Sequence, residues 1–118
     1  MIRAAMSGRD ISLDASPDDI THYLYVEDAV NGLICAGQAG ILPDRVYNIT
    51  AGSGIPMRRV VEMLRPMGRQ CTVTLLRQSV AAGGPSTLDN HRAARDLGVF
   101  PATPLDEGLR LYRDALLV

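Results

Sequence analysis

Asn48 is the polar residue whose position most favours contact with a ligand. It follows the apolar residues Val46 and Tyr47 and lies at the end of a predicted strand. In open α/β sheets, ligands bind in the crevice outside the carboxyl ends of the strands. A short amide side chain at a strand end can also hydrogen-bond the backbone of the turn that follows it. Both interpretations of Asn48 stay open at this point.

Acidic and imidazole side chains give weaker indications of chemistry. Glu27 and Asp28 are adjacent carboxylates, a pair that could serve acid–base catalysis or hold a metal. Neighbouring residues point in different directions, however, and the start of a helix explains both carboxylates. The two histidines, His22 and His91, are far apart and share no spacing typical of metal ligands. We therefore predict no metal site.

The basic residues exclude several reactions, because all 12 of them are arginine and none is lysine. A lysine Schiff base, a P-loop lysine and a Tyr-x-x-x-Lys proton relay cannot form within this chain. The two cysteines, Cys35 and Cys71, are too few for a disulfide framework. The net charge of −1 gives no reason to expect nucleic acid as a partner.

The length of 118 residues and the hydrophobic fraction of 47% fit one domain with a core of its own. No apolar run reaches the roughly 18 residues that a membrane helix needs. The N-terminal residues lack the long apolar centre of a signal peptide. We therefore expect a cytoplasmic protein with no membrane partner.

Residues 21–48 predict the unit around which the fold is organised. The pattern indicates an apolar strand over 23–26, a helix that starts at Glu27 and Asp28, and a second strand over 46–49. This order forms a β-α-β unit, which implies a parallel sheet with helices on its faces. Asp28 is placed to cap the first turn of the helix.

The remaining segments predict short helices and strands. Apolar periodicity within the helix of the β-α-β unit is carried by Ala29, Leu33 and Ala36, and by Val30 and Ile34. Two short helices are expected, one over 2–7 that ends at Gly8 and one over 91–97 that is capped by Asp89 and ends at Gly98. A third helix is expected over about 55–67, and its buried stripe is Met57, Val60, Val61 and Leu64. A fourth is expected after Thr103, and its apolar face is Leu105, Leu109, Tyr112 and Leu116. Strands are expected over 11–13 and 71–76, a hairpin between 10–14 and 21–26, and a flexible loop over 78–86.

Three segments together resemble one family in order and spacing. They are Y-L-Y-V-E-D-A-V at 23–30, V-Y-N-I-T-A-G-S at 46–53 and D-N-H-R-A-A-R-D-L-G-V-F-P-A-T-P-L-D-E-G-L at 89–109. They resemble the C-terminal, substrate-side part of the extended short-chain dehydrogenases/reductases, the NAD-dependent epimerase/dehydratase family. The resemblance implies an α/β, partial Rossmann-like fold that consists of edge strands of a parallel sheet plus the small C-terminal substrate-binding domain. Residues 1–118 would then form a single portion, the substrate-side part of the longer enzyme.

The resemblance also implies what the chain lacks. In this family the glycine-rich phosphate loop and the catalytic residues precede the part that is matched here. The chain has no G-x-G-x-x-G, and its Gly52-Ser53-Gly54 is followed by no third glycine. The longer enzyme is expected to use NAD or NADP on a sugar or nucleotide-sugar, by epimerisation, dehydration or reduction. We expect residues 1–118 alone to bind no dinucleotide and to show no turnover.

The resemblance assigns candidate roles to three residues. Asn48 and His22 are expected near the substrate and cofactor cleft. Arg77 follows a strand at the position where many nucleotide-sugar enzymes have an arginine that is placed for a phosphate. The planar guanidinium of an arginine can bind two phosphate oxygens at once. Those enzymes continue as Arg-x-Gly-Asp, whereas this chain continues as Gln78-Ser79-Val80 and lacks the Gly-Asp, so a solvated surface position for Arg77 stays open.

Two further hypotheses come from other classes of protein. The chain could be a stand-alone binding or regulatory module that kept the substrate lobe and lost the chemistry. It could also be a truncated remnant without function. A remnant is expected to associate with itself through an exposed sheet edge, because its sheet lacks neighbouring strands.

Overall fold

The computed structural model describes residues 1–67, 70–78 and 86–117 of the chain. Its helices are α1 (Ile2–Met6), α2 (Val26–Gln38), α3 (Met57–Leu64), α4 (His91–Leu97) and α5 (Leu105–Leu116). Its strands are β1 (Ile11–Leu13), β2 (Ile20–Thr21), β3 (Ile55–Pro56) and β4 (Val73–Leu75). A 3₁₀ turn over Arg65–Met67 continues α3.

Two small sheets are present in the described part of the chain. β1 and β4 pair in parallel, with Ile11 opposite Val73 and Leu13 opposite Leu75. β2 and β3 pair in antiparallel orientation, with Ile20 opposite Pro56. A parallel strand pair among several helices is typical of an α/β fold, so the predicted fold class is confirmed.

The hairpin predicted between residues 10–14 and 21–26 is wrong. β1 pairs with β4, which lies 62 residues further along the chain, and not with the segment that follows it. The turn between β1 and β2 is instead held by local bonds. The Asp19 carboxylate accepts a hydrogen bond from the Ser16 amide at 3.0 Å, and the Asp19 carbonyl accepts one from the Met57 amide at 2.9 Å. The turn therefore packs on the start of α3.

The strands predicted over 23–26 and 46–49 are also wrong. Tyr25 is extended (φ −68°, ψ 142°), but helix α2 already begins at Val26. Residues 46–49 have no regular secondary structure, and the side chain of Val46 is exposed. A strand exists only where its backbone hydrogen-bonds a neighbour. Neither segment is paired with another strand among the described residues.

Helix α2 differs from its prediction in two respects. The residue before its first turn is Tyr25, so Asp28 does not cap this helix. Its carboxylate instead accepts a hydrogen bond from the Thr103 amide at 3.1 Å, which ties α2 to the segment before α5. The residue of α2 that is buried is Gly32, which lies against Ile49. A side chain at position 32 would overlap Ile49, so this close approach requires glycine.

The core lies between α3, α5 and the turn that precedes β2. Its buried side chains are Ala15, Met57, Val60, Leu64 and Leu109. The stripe predicted for α3 is confirmed, since Met57, Val60, Val61 and Leu64 are all buried. The apolar face predicted for α5 is confirmed only in part, because Leu109 is buried but Tyr112 is exposed.

Most other predictions that rest on local pattern hold. α1 is followed by Gly8 in a left-handed conformation, and α4 covers 91–97 and ends at left-handed Gly98. The prediction that Asp89 caps α4 is wrong, because the N-cap is Asn90 and Asp89 lies one residue before it, although the Asp89 carboxylate accepts a hydrogen bond from the His91 amide at 2.8 Å. The strand predicted over 71–76 is present as β4. The loop predicted over 78–86 lies outside the described residues except for Gln78 and Ser86.

Candidate functional site

The three residues that the sequence singles out are held by three different parts of the fold. None of them lines the apolar cavity described below. The structure therefore does not gather Asn48, Arg77 and His22 around this cavity, and their contact with a ligand stays a prediction.

Asn48 joins two segments that are far apart in the sequence. Its amide nitrogen Nδ2 donates to the carbonyl of Asp89 at 2.9 Å, and Nδ2 of Asn90 donates to the carbonyl of Thr50 at 3.0 Å. Backbone bonds continue this contact, since the Leu88 amide donates to the carbonyl of Gly52 at 2.8 Å. The two amide side chains thus stabilise the pairing of residues 48–54 with residues 86–90.

Arg77 lies beside the turn between β1 and β2. Its Nε lies 3.2 Å from a carboxylate oxygen of Asp14, and its Nη2 donates to the carboxylate of Asp19. Half of the side chain is exposed (50%). Two carboxylates therefore neutralise the guanidinium, and a phosphate would have to compete with both of them.

His22 follows β2 directly and packs against the backbone of Gly54. A β-carbon at position 54 would overlap the Cγ2 methyl of Ile20 and lie 3.0 Å from Nε2 of His22. Glycine at this position lets β2, His22 and the segment before β3 approach one another closely. His22 is thereby placed next to the family-like segment that ends at Ser53.

A cavity of about 480 Å³ lies where the three family-like segments meet. Its walls come from Ile2, Tyr23, Leu24, Tyr25, Val26, Ala51, Ser53, Ile55, Thr103, Pro104, Leu105, Gly108, Leu109 and Tyr112. Residues 23–26, 51–53 and 103–109 belong to the three segments that carry the family resemblance. Segments that are separate in the sequence thus form one site.

The cavity is apolar with a few hydroxyl groups. Tyr23, Tyr25, Tyr112, Ser53 and Thr103 supply them, and no acidic or basic side chain is among its lining residues. Such a surface can stack a ring and hydrogen-bond hydroxyl or carbonyl groups. It cannot supply the general acid–base chemistry of a carboxylate or a histidine at pH 7.

Tyr25 is fixed in place at the wall of the cavity. Its ring covers Gly108 of α5, where a β-carbon would lie 3.3 Å from Cδ2 of the ring. Burial raises the pKa of Tyr25, and the nearby carboxylate of Glu27 raises it further. The hydroxyl therefore stays protonated at neutral pH and can donate a hydrogen bond.

Sequence reasoning did not identify the cavity. One signal was available, because Tyr23 and Tyr25 alternate along an extended segment and so share one face. The contributions of Thr103 and Tyr112 depend on how α5 packs. No pattern in the sequence gives that packing.

A second polar cluster connects residues 44–47 to α4. The Tyr47 hydroxyl accepts a hydrogen bond from the Asp44 amide and donates to Asp96, both at 3.1 Å. Arg95 bonds Asp96 at 2.6 Å and Asp44 at 3.2 Å. The hydrogen bonds of Arg95 hold the pKa of Asp96 below its usual value, against the opposing effect of burial. Nη1 of Arg92 also lies 3.5 Å from a carboxylate oxygen of Asp44, so two arginines match the two carboxylates and the cluster ties residues 44–47 to α4.

The described residues contain no cluster of metal-ligating side chains and no glycine turn directly before a helix. No group of three His, Cys, Asp or Glu side chains lies close enough to hold a metal within residues 1–67, 70–78 and 86–117. Gly52-Ser53-Gly54 leads into strand β3, whose second residue Pro56 has no amide hydrogen, and α3 begins only at Met57. A phosphate loop needs a glycine turn that opens a helix with free amides. None of the helices in the described part is long and apolar enough to cross a bilayer.

Comparison with known proteins identifies the fold. No family model matches the sequence, and no curated protein matches it. Solved structures do match. The apo form of a GalE-like L-threonine dehydrogenase from Cupriavidus necator superposes with a TM-score of 0.80 at 24% identity, over 99% of this chain and 44% of that one.

Two nucleotide-sugar enzymes match equally broadly. UDP-glucose 4-epimerase from Thermotoga maritima, solved with UDP-glucose, gives a TM-score of 0.78 at 22% identity, over 98% of this chain and 37% of that one. UDP-glucuronic acid 4-epimerase from Bacillus cereus, solved with UDP-glucuronic acid and NAD, gives a TM-score of 0.77 at 18% identity, over 98% of this chain and 38% of that one. The chain thus has the fold of part of these enzymes and spans less than half of their length.

Proposed function

We propose that the chain is the substrate-side part of an NAD(P)-dependent enzyme that epimerises, dehydrates or reduces a sugar or nucleotide-sugar. The observation that carries this proposal is the convergence of the three family-like segments on one cavity. The fold supports it, because the structures that match over nearly the whole chain include NAD- and UDP-sugar-bound epimerases. We also propose that the chain belongs to the NAD-dependent epimerase/dehydratase family.

The proposed division of labour leaves the cofactor to another part of the enzyme. The chain corresponds to 37–44% of the matched structures described above. Its glycine turn opens no helix, so no step of the reaction is assigned to residues 1–118. In this proposal NAD or NADP is held outside these residues and supplies the hydride transfer. The cavity holds and orients the substrate.

Within the cavity, the aromatic rings are proposed to take the ring of the substrate. Tyr112 lies at the rim with 43% of its surface exposed, while Tyr25 is fixed over Gly108. The hydroxyls of Ser53 and Thr103 are placed to hydrogen-bond substrate oxygens. Asn48, Arg77 and His22 remain proposed contacts at the edge of the substrate, for which Arg77 would supply phosphate binding.

The first test is a titration with UDP-glucose of the full product of the gene, in the presence of NAD. Tyr112→Ala is expected to raise the Kd for UDP-glucose about tenfold, which corresponds to about 1.4 kcal/mol. Phe100→Ala is the matched control, because Phe100 is an exposed aromatic residue outside the cavity. Equal Kd values for the two variants would place the substrate elsewhere.

The substrate class needs its own comparison, since one matched protein is an L-threonine dehydrogenase. The same titration is made with L-threonine. Saturable binding of UDP-glucose without binding of L-threonine supports a nucleotide-sugar. Binding of L-threonine without binding of UDP-glucose would contradict a nucleotide-sugar substrate. Only the proposal of an NAD-dependent dehydrogenase would then remain.

A stand-alone binding module is the second candidate. The cavity favours it in one respect, because its lining residues include no carboxylate or imidazole. A gene product that lacks a glycine-rich dinucleotide segment and still binds UDP-glucose through Tyr112 would support the module. A product that binds neither NAD nor a sugar nucleotide would fit a remnant without function.

A further inference from the structure

Three tyrosine rings line the cavity. Tyr23 and Tyr25 come from the segment before α2, and Tyr112 comes from α5. The ring of Tyr25 covers Gly108, which lies four residues before Tyr112 and therefore on the same face of α5. The rings of Tyr25 and Tyr112 are thus neighbours along this face. An aromatic ring has a negatively polarised face, which attracts a cation.

The residues that flank the cavity wall include four carboxylates. α2 begins with Glu27 and Asp28, and α5 begins with Asp106 and Glu107. Both first turns also contribute apolar residues to the wall of the cavity. Burial and then the carboxylates of Glu27 and Asp28 raise the pKa of Tyr25, so both of these acidic groups act on the phenol of a lining residue.

The two helix N-termini oppose these carboxylates, and the size of each charge decides the balance. One helix N-terminus is equivalent to about +0.5 elementary charge, so α2 and α5 together contribute about +1. Each carboxylate contributes a full negative charge. Among the described residues, Glu107 is the one member of this group that forms an ion pair, with Arg110 at 3.9 Å. The surroundings of the cavity are therefore negative.

Basic residues do not offset this charge. None is among the lining residues of the cavity. Arg110 and Arg113 of α5 each lie beside a carboxylate of the same helix, at 3.9 and 2.6 Å respectively. Arg3 of α1 lines a separate depression. An anion in the cavity would find no basic partner in its walls, whereas a cation would find aromatic rings and nearby negative charge.

We propose that the cavity is a subsite for an organic ammonium group, which the tyrosine rings contact and the carboxylates at the starts of α2 and α5 attract. The inference rests on the proposed function and narrows its substrate to a sugar that carries a protonated amine. Aromatic rings stabilise such a cation through their faces and need no direct ion pair with it. This combination suits a cavity whose walls are apolar and whose surroundings are acidic.

Three ligands of nearly the same shape test which charge the cavity prefers. Choline is the cation. Its uncharged isostere has a tert-butyl group in place of the trimethylammonium group, and tert-butylacetate is an anion of similar size. Each ligand is titrated into the full product of the gene and followed by changes in NMR chemical shift. NAD binding is measured separately by calorimetry.

The Kd for choline is expected to be about tenfold lower than the Kd for its uncharged isostere, and tert-butylacetate is expected to bind most weakly. Tyr112→Leu is expected to remove most of this preference, because leucine keeps the site apolar but has no aromatic ring. Tyr112→Phe is the matched variant and is expected to keep the preference, because the ring is retained.

The contribution of the carboxylates is tested with Glu27→Gln. This variant is expected to reduce the preference for choline about twofold to threefold, the effect of one unit charge at a distance of several ångströms in water. Glu62→Gln is the control, because Glu62 is an exposed carboxylate of α3 outside the cavity. An equal effect of the two variants would contradict an attraction by Glu27.

Equal Kd values for choline and its isostere overturn the ammonium subsite, and so does the absence of binding by all three ligands. Either result leaves the proposed function standing if the product binds NAD. A product that does not bind NAD overturns the proposed function. A preference for choline that Tyr112→Leu removes in such a product would still support the subsite, so the two failures are distinguishable.

Discussion

At the scale of single residues, polar side chains in this protein mostly join distant segments. Asn48 is the clearest case, because its amide reaches the Asp89 carbonyl 41 residues away. One of the two interpretations of Asn48 was a hydrogen bond to the backbone of the turn that follows it; the observed bond does go to backbone, but in a distant segment. The partner could not be predicted, because nothing local relates residue 48 to residue 89.

Asn48→Ala is expected to lower the free energy of unfolding by about 1 kcal/mol, the usual net value of one hydrogen bond. Asn90→Ala is expected to cost about as much or more, because its partner residue Thr50 is buried. Urea unfolding followed by circular dichroism measures both. Wild-type stability in the Asn48 variant would show that the bond contributes nothing.

The cluster of Asp96 and Arg95 predicts a pH dependence. Arg95 lowers the pKa of Asp96 in the folded chain. Its ionised form therefore stabilises the fold fully above the unfolded pKa, near pH 4, and the stabilisation is lost as pH falls through the lower folded pKa. Asp96→Asn is expected to lower the melting temperature at pH 7 and to differ less from wild type at pH 3.

Melting curves between pH 3 and pH 7 check this expectation. Gln38→Ala, at an exposed position of α2, serves as the control, because neither glutamine nor alanine titrates, and it is expected to keep a constant difference from wild type. A melting-temperature difference for Asp96→Asn that does not shrink on the acid side would contradict the assignment.

At the scale of elements, prediction succeeded for the helices and for the strands at 11–13 and 71–76, and it failed for two other strands and for strand pairing. α3 and α4 follow from periodicity and glycine signals that lie within a few residues. The strands predicted at 23–26 and 46–49 have suitable apolar residues, but a strand also needs a neighbour, and a local pattern does not supply one. The pairing of β1 with β4 was missed for the same reason.

Close packing of elements at Gly54 gives a prediction at this scale. Gly54→Ala is expected to destabilise the fold by about 1–3 kcal/mol, because its methyl group would push Ile20 and His22 away. Gly37→Ala is the control, since nothing lies within 4 Å of its added β-carbon. This change in exposed α2 is expected to stabilise the fold by about 0.5–1 kcal/mol. Urea unfolding of both variants measures the difference, and a fully stable Gly54→Ala would contradict the packing described.

At the scale of the whole molecule, the fold class was predicted correctly and the location of the core only in part. Composition and the order of helices and strands indicated an α/β chain. The apolar residues of α3 and of α2 looked equivalent in the sequence, yet those of α3 form the core and those of α2 lie in solvent. Periodicity shows that a helix has an apolar face. It does not show what covers that face.

Two leucine substitutions test this difference. Leu64→Ala is expected to cost about 2–5 kcal/mol, because Leu64 is 2% exposed at the centre of the core. Leu33→Ala is expected to change the stability of the 118-residue chain by less than about 0.5 kcal/mol. Thermal and urea unfolding measure both. A large loss of stability in Leu33→Ala would show that the side of α2 that carries Leu33 is already covered in this chain.

The parallel pairing of β1 with β4 has a consequence for the order of folding. Leu13 finds its place opposite Leu75 only after the intervening residues have been made and have folded back. During synthesis the first strand therefore leaves the ribosome long before its partner. Contacts of such large sequence separation form slowly, because the loop must close before they contribute any stability. Helix α3 has only eight residues, too few to be stable by itself, so we expect it to become fully structured when it packs in the core and not before.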